Sequence, residues 1–138
     1  MFATLDMTAS GLAAQRTRMD VIAGNVLHMN TTRAGRAADG SAIPYRRRIA
    51  MLSPGDASDP SKPGVHVSGV ALDQSRFDER FEPGHPDADP LTGLVKYPNV
   101  DLSTEYVNML EASRAYEANI TLMQTTKAMF NASLRLLA

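Results

Sequence analysis

Residues 101–138 decide the fold, and they read DLSTEYVNMLEASRAYEANITLMQTTKAMFNASLRLLA. No proline or glycine interrupts this stretch, and one column at seven-residue steps is apolar or aromatic throughout: Leu102, Met109, Tyr116, Met123, Phe130 and Leu137. This spacing predicts one long helix with a stripe that must be buried against other helices. At about 1.5 Å per residue the helix is about 55 Å long, so it needs a partner elsewhere in the chain or in another molecule.

A second column of this segment begins four residues along the helix. It contains Tyr106, Ser113, Ile120, Lys127 and Leu134, of which three are apolar or aromatic. Lys127 is its only charged member, so we expect the column to face solvent there. A buried Lys127 without an acidic partner would show that the predicted register is wrong.

The N-terminal segment, residues 3–29, carries a matching stripe. Its column at seven-residue steps is Leu5, Leu12, Met19 and Val26, and polar residues lie on the other face. The pattern predicts an amphipathic helix that ends near residues 28–32, where Asn30-Thr31-Thr32 is a poor helix sequence. The two matching stripes predict that the long N- and C-terminal helices form an antiparallel coiled coil.

The middle of the chain differs in character, because all eight prolines lie between Pro44 and Pro98. Alternating and β-branched patterns predict strands at 44–52, 65–72 and 94–97, and a short irregular or strand segment around Phe77 and Phe81. Composition predicts loops at 53–63 and 82–93 and a flexible segment at 33–41.

The predicted fold class is mainly α with a small β-rich insert. The chain divides into an N-terminal coiled-coil helix at 1–32, a central β-hairpin and loop domain at 33–100, and a C-terminal coiled-coil helix at 101–138. We expect Asp101 or Ser103 to cap the last helix at its N-terminus.

Composition excludes several classes of function. A formal net charge of -1 gives no case for nucleic acid or an anionic membrane, and the absence of cysteine removes disulfides and thiolate sites. No apolar run approaches the roughly 18 residues of a membrane span. The N-terminus lacks a basic region followed by an apolar one, so we expect no cleaved signal peptide.

The side chains that could carry chemistry form no recognisable site. The carboxylates in the loop-rich region are expected to be solvated, namely Asp73, Asp78, Glu79, Glu82, Asp87 and Asp89. His28, His66 and His85 share no metal-ligand spacing. The run Arg46-Arg47-Arg48 is interpreted as an exposed strand whose charges protect its edge, with contact to an acidic partner as the alternative. We therefore predict no catalytic residue, metal, cofactor or small-molecule substrate, and the protein is not expected to be an enzyme.

The two ends carry the most specific motifs. Residues 9–26 read ASGLAAQRTRMDVIAGNV and residues 107–119 read VNMLEASRAYEAN, and both closely resemble the terminal motifs of the bacterial flagellar axial proteins of the rod and hook. Residues 82–89 and 96–100 resemble the proximal rod members of the flagellar basal-body rod protein family in particular. Gly24 departs from the family pattern, which has Asn there. The matching positions are Ser10, Gly11, Leu12, Gln15, Asn25, Asn30, Thr31, Asn108, Arg114, Tyr116 and Asn119.

The resemblance implies a structural protein whose terminal helices form a coiled coil inside a helical rod, with a β-rich insert outside it. The implied partners are copies of itself, other flagellar rod proteins and the flagellar type III export apparatus. The implied location is the basal body, where the rod crosses the periplasm and transmits torque. Three alternatives stay open: another small proximal rod component, a non-flagellar coiled-coil adaptor, and a periplasmic wall-cleaving enzyme using carboxylates at 79–89.

Overall fold

The computed structural model describes residues 2–56 and 62–137. Along the described sequence, two long helices stand before and after an insert of short strands, which confirms the mainly helical fold with a β insert. The elements in chain order are α1 (Phe2–Leu27), β1 (Gly35–Arg36), β2 (Ala42–Ile43), β3 (Arg48–Pro54), β4 (Val65–Leu72), β5 (Asp78–Phe81), β6 (Leu94–Tyr97) and α2 (Leu102–Leu137). No helix among the described residues is long and apolar enough to cross a membrane.

The start of α2 is fixed by a side-chain cap. Asp101 Oδ1 accepts the backbone N–H of Ser103 at 3.2 Å, and its Oδ2 accepts the backbone N–H of Thr104 at 3.2 Å and the Thr104 hydroxyl at 2.6 Å. These bonds satisfy donors that have no partner inside the helix. Of the two predicted capping residues, Asp101 and Ser103, Asp101 therefore caps the helix.

The strands of the described residues form three separate two-stranded sheets, β1 with β2, β3 with β4, and β5 with β6. The β1–β2 and β5–β6 pairs are antiparallel. β4 and β6 coincide with the strands predicted at 65–72 and 94–97, and β5 lies in the segment predicted to be irregular or extended. Residues 57–61 of the predicted loop lie outside the described residues. Val95 of β6 is fully buried and provides part of the small core.

The strand predicted at 44–52 is wrong at its beginning and its end. The backbone N–H of Tyr45 bonds the carbonyl of Thr31 at 3.0 Å, and that of Arg47 bonds Asn99 Oδ1 at 2.9 Å. Because these groups have partners outside any strand, the β3 ladder begins only at Arg48. It continues through Pro54, two residues into the predicted loop.

The segment 33–41, predicted to be flexible, begins a small hairpin. Gly35 pairs with Ile43 and Arg36 pairs with Ala42. Asp39 Oδ1 accepts the backbone N–H of Ser41 at 3.0 Å in the connecting turn. Gly40, with φ of 84°, supplies the left-handed conformation that the turn requires.

The chain forms two compact units, and each contains part of both helices. The first unit comprises residues 1–20, 50–70 and 108–138, and the second comprises residues 21–49 and 71–107. The division of the chain into three consecutive segments stays a prediction.

The most deeply buried column of α2 differs from the predicted one. Glu105, Ala112 and Thr126 share one column at multiples of seven residues, and all three are buried. This column begins three residues after the predicted apolar column. In the predicted column Leu102 is 42% exposed, and Met109, Tyr116, Met123 and Phe130 are half-buried.

On α1 the predicted column is half-buried along its whole length, at Leu5, Leu12, Met19 and Val26. Thr8, Ala14, Ile22 and Asn25 are more deeply buried. Apart from Ile22, the most deeply buried residues of both helices are therefore small or polar, with the predicted apolar columns beside them. Lys127 is exposed, as expected. The side chain of Leu137 lies outside the described residues.

Candidate functional site

The described residues form contact surfaces and a buried polar junction. Within residues 2–56 and 62–137, no three His, Asp or Glu side chains lie close enough together to bind one metal ion. Glu82, one of the carboxylates considered for wall cleavage, accepts the Tyr97 hydroxyl at 3.1 Å.

Asn25 is the centre of the second unit and is only 1% exposed. Its Oδ1 accepts the Tyr45 hydroxyl at 3.0 Å and the backbone N–H of Arg48 at 2.9 Å. Its Nδ2 donates to the backbone carbonyl of Arg48 at 2.8 Å and to Glu105 Oε2 at 3.1 Å. All four hydrogen-bonding positions of the amide are thus used. By bonding both backbone groups of Arg48, Asn25 joins the end of α1 to the start of β3.

Glu105 extends this junction to the start of α2. Its side chain is 0% exposed, and its Oε1 accepts Arg47 Nε at 2.6 Å. Arg47 Nη1 also donates to Asp73 Oδ2 at 3.3 Å. Burial alone lowers the pKa of Arg47, but its bonds to Glu105 and Asp73 outweigh burial and raise it. We call Asn25, Tyr45, Arg47, Asp73 and Glu105 the polar junction.

The arginine run is not the exposed strand that the sequence suggested. Arg46 and Arg47 precede β3 and are half-buried. Arg46 Nη1 donates to the carbonyl of Asp73 at 2.8 Å, and its guanidinium lies 4.2 Å from the centre of the Phe77 ring. Arg48 is exposed and lies 5.5 Å from the Tyr45 ring centre. The arginines bind their own chain instead of forming a continuous charged face.

Asp87 also departs from the prediction of a solvated carboxylate, because its side chain is only 7% exposed. It accepts the Thr32 hydroxyl at 2.8 Å and Arg33 Nε at 2.7 Å, and Arg33 Nη2 makes a further ion pair with it. Its backbone N–H bonds His85 Nδ1 at 3.1 Å. Beside it lies a cavity of about 560 Å³, which Asp39, Asp89 and Lys96 also line.

The pKa of Asp87 lies below its ordinary value. Burial by itself raises the pKa, but the hydrogen bonds from Arg33 and Thr32 outweigh burial. Because the folded pKa is below the unfolded one, the stability from this carboxylate is complete above the unfolded pKa. It is lost as the pH falls through the folded pKa.

We expect Asp87→Asn to lower the free energy of unfolding by about 1–3 kcal/mol at neutral pH, since the charged bonds to Arg33 and Thr32 are lost. The difference from the parent should shrink as pH falls from about 5 to 2. Urea unfolding across this range measures both effects, with Glu79→Gln, an exposed carboxyl on β5, as control. An Asp87→Asn deficit that is independent of pH would contradict the assignment.

In the first unit the two helices meet at a glycine. A Cβ added to Gly11 would lie 2.9 Å from Asn119 Nδ2, so the side chain of Asn119 rests on the backbone of α1. About two turns away from this contact, Arg18 Nη2 pairs with Glu111 Oε2 at 3.2 Å. Since the α2 numbers fall as the α1 numbers rise, the helices run antiparallel in this unit.

Ser10 joins α1 to the β3–β4 pair in the first unit. Its hydroxyl oxygen accepts the backbone N–H of Val65 at 3.2 Å. A Cβ on Gly64 would lie 3.0 Å from the same oxygen, so the strand approaches the helix closely. Two motif positions, Ser10 and Gly11, therefore serve helix–strand and helix–helix contact.

The remaining motif residues differ in burial. Gln15 has a buried carbonyl oxygen with no hydrogen-bond partner among the described residues. Six other motif positions are half-buried or exposed: Leu12, Asn30, Thr31, Asn108, Arg114 and Tyr116. Sequence reasoning missed Glu105 and Arg47 as partners. The sequence shows only that each of them is a charged residue beside an apolar stretch.

Comparison with known proteins places the chain among flagellar proteins. Residues 91–136 match a family model described as flagellar basal body rod FlgEFG protein C-terminal. The chain is similar to the flagellar basal-body rod protein FlgC of Bacillus subtilis strain 168, with 39% identity over 147 aligned residues, 98% of this chain and 97% of the relative.

Similarity of this extent recurs in distant bacteria. FlgC of Borreliella burgdorferi is 35% identical over 153 aligned residues, covering 99% of this chain and 97% of the relative. FlgC of Salmonella typhimurium is 37% identical over 131 aligned residues, covering 95% and 93%. The similarity thus includes both helices and the insert.

Proposed function

The chain belongs to the FlgC family of flagellar basal-body rod proteins, and on this premise we propose that it is a structural subunit of the proximal rod. It assembles helically with other axial proteins and transmits torque across the periplasm. The observation that carries the proposal is full-length similarity to rod proteins. The surface of the helix pair supplies the physical support.

We propose that α1 and α2 form an antiparallel coiled coil with a polar seam. The supporting contacts are Gly11 with Asn119 and Arg18 with Glu111 in the first unit. In the second unit, Asn25 bonds Glu105. The α1 residues of these contacts are seven apart, which is the repeat of a coiled coil.

The apolar columns then lie together on one side of the pair. Leu12 and Met19 follow Gly11 and Arg18 by one residue, a rotation of about 100°. Tyr116 follows the buried Ala112 by four residues, a rotation of about 40° in the same sense. Because the helices are antiparallel, rotations of the same sense bring both columns to the same side.

This half-buried apolar side is suited to packing against neighbouring subunits. The residues of the first unit that form it are Leu5, Leu12, Met19, Met109, Tyr116, Met123 and Phe130. Completing the burial of each side chain stabilises an assembly by up to about 1.5–3 kcal/mol. We therefore retain these residues, with Val26, Leu102 and Leu137, as the proposed assembly seam.

Export and location follow from the same family membership. We propose that the flagellar type III apparatus exports the chain and that it then enters the rod beside other rod proteins. A rod subunit has no substrate to turn over, so its residues act through contact and stiffness.

We expect Met123→Lys to prevent incorporation into the rod and abolish swimming, because an ammonium group would enter the apolar side between subunits. Met123→Leu keeps the volume and apolarity and should retain swimming. The measurements are swimming of a deletion strain complemented with each variant, and presence of the chain in isolated basal bodies.

Circular dichroism of both purified variants establishes that the monomer still folds. Normal swimming of the deletion strain would contradict the proposed function and favour the coiled-coil adaptor. Normal incorporation of Met123→Lys would contradict only the assignment of the apolar side.

A further inference from the structure

The second unit contains a cavity that the proposed assembly seam does not use. Its volume is about 560 Å³, which lies within the range of about 300–1,000 Å³ typical of ligand sites. Its walls come from the turn of the β1–β2 hairpin at residues 39–42, from residues 86–90 of the loop before β6, and from Leu94 and Lys96 of β6. The cavity is therefore formed by two hairpins of one compact unit.

Two carboxylates of the cavity, Asp39 and Asp89, are held by the turns on which they lie. Asp39 Oδ1 accepts the backbone N–H of Ser41 at 3.0 Å and the Ser41 hydroxyl at 2.6 Å. Asp89 Oδ1 accepts the backbone N–H of Leu91 at 2.9 Å, and the Asp89 N–H bonds the Leu94 carbonyl at 3.0 Å. Because both carboxylates are already fixed, a ligand that binds them has little ordering of the site to offset.

Lys96 lies near both carboxylates but pairs with neither. It is exposed and makes no hydrogen bond or ion pair among the described residues. Hydrogen bonds from Ser41 are the main cause that lowers the pKa of Asp39, and the Lys96 charge lowers it further. The bond from the Leu91 N–H is the main cause at Asp89, where Lys96 again contributes. The cavity thus separates charges that attract one another, with room for a third group between them.

The charges of the cavity do not balance. Asp87 is neutralised by its ion pair with Arg33, which leaves two carboxylates and one ammonium group. In the part of the chain that the structure describes, no three carboxylates or imidazoles are close enough to bind one metal ion. The excess negative charge therefore suits an organic cation.

A guanidinium group fits this arrangement better than an ammonium group. Its planar donors bond two carboxylates at once, and both bonds from Ser41 go to Oδ1 of Asp39, which leaves Oδ2 for a further donor. Leu94 adds an apolar surface, and its cross-strand partner Phe81 is 71% exposed on the same face of the sheet. Apolar and aromatic groups of this kind pack against the stem and the plane of an arginine.

We propose that the cavity binds an arginine side chain of another protein, with the guanidinium group between Asp39 and Asp89. The Lys96 side chain is long and exposed, so it turns aside when the arginine enters. Only one side chain has to enter, so an exposed loop or chain end of the partner is sufficient to present it. The rod role gives this cavity no part, so the inference goes beyond the proposed function and does not rest on it.

A blocked tripeptide with a central arginine tests the cavity, in a titration of the purified full-length chain followed by NMR. We expect saturable shifts of the backbone amides of Gly40, Ser41, Leu91 and Lys96 at millimolar peptide. The same peptide with citrulline has the shape of arginine without its charge, and should bind at least about tenfold more weakly. The peptide with lysine should bind about threefold more weakly than the arginine peptide.

Substitutions in the cavity distinguish a site for cations from a site for anions. Asp39→Asn and Asp89→Asn should each weaken binding of the arginine peptide about tenfold, because each removes a charged acceptor. Lys96→Gln should tighten binding about threefold, because its ammonium group no longer competes for the same carboxylates. The matched control is Glu79→Gln, at the cross-strand neighbour of Lys96 and outside the cavity lining, which should change binding less than about twofold. Circular dichroism checks the fold of each variant.

The results that would overturn the inference are specific. They are no saturable shift up to about 20 mM arginine peptide, shifts confined to residues outside the cavity, equal binding of the citrulline peptide, weaker binding by Lys96→Gln, or binding of spermidine or the lysine peptide as tight as that of the arginine peptide. Failure of the parent chain to restore swimming in the deletion strain would instead contradict the proposed function, and it would leave the titration of the purified chain unchanged.

Discussion

Replacing Glu105 by alanine is expected to lower the free energy of unfolding by about 3–5 kcal/mol, because it breaks a buried ion pair from one side. The Glu105 carboxylate is fully buried, between Arg47 Nε at 2.6 Å and Asn25 Nδ2 at 3.1 Å. Without it, the Arg47 guanidinium keeps only its longer bond to Asp73, and Asn25 loses an acceptor. Both groups have little access to water that could compensate.

The controls for this prediction come from the same helix and the same site. Glu111→Ala removes a 62% exposed carboxylate that also pairs with an arginine, and should change stability by less than about 1 kcal/mol. Glu105→Gln keeps the shape and one acceptor, so its cost should be smaller than that of Glu105→Ala. Urea unfolding followed by circular dichroism compares the three variants.

A double-mutant cycle separates the pair from the rest of the junction. If the charge left on Arg47 causes the loss, then Arg47→Met together with Glu105→Leu should cost less than the two single changes added together. Additive costs would show that Glu105 acts through packing alone. Hydrogen exchange at the Arg48 amide, which Asn25 holds, should increase in Glu105→Ala.

Local patterns were sufficient to predict several elements from the sequence. Alternation along 65–72 predicted β4, and the lack of proline and glycine in 101–138 predicted α2. These patterns depend on residues that are close in sequence. The strand predicted at 44–52 failed at its start because Thr31 and Asn99, far away in the chain, bond the backbone there.

The apolar heptads gave the spacing of the helix contacts but not the column at their centre. Apolarity favoured Met109 and Tyr116, whereas the buried column contains Glu105 and Ala112. A helix pair can be held by small residues and hydrogen bonds, and hydrophobic patterning does not detect such a seam. Glu105 is an acidic residue in the first turn of α2, and only its tertiary partners show its structural role.

The contact between the two helices at Gly11, in the first unit, predicts the second large effect. Gly11→Leu should cost at least about 3 kcal/mol, because even a Cβ at this position comes within 2.9 Å of Asn119 Nδ2. A leucine needs still more room, so α1 and α2 must separate around it or Asn119 must leave its position. The measurement is urea unfolding monitored by helical circular dichroism.

Gly24 offers the matched control, since it lies in the same helix and a Cβ there meets no atom within 4 Å. Gly24→Ala should stabilise the chain by about 0.5–1 kcal/mol, because alanine has the higher helix propensity. Gly11→Ala has the same propensity gain but must displace the Asn119 amide, so it should stabilise less. Adding Asn119→Ala to Gly11→Ala removes that obstacle and should recover the gain. Equal stabilisation by Gly11→Ala and Gly24→Ala would mean that the helices do not meet at Gly11.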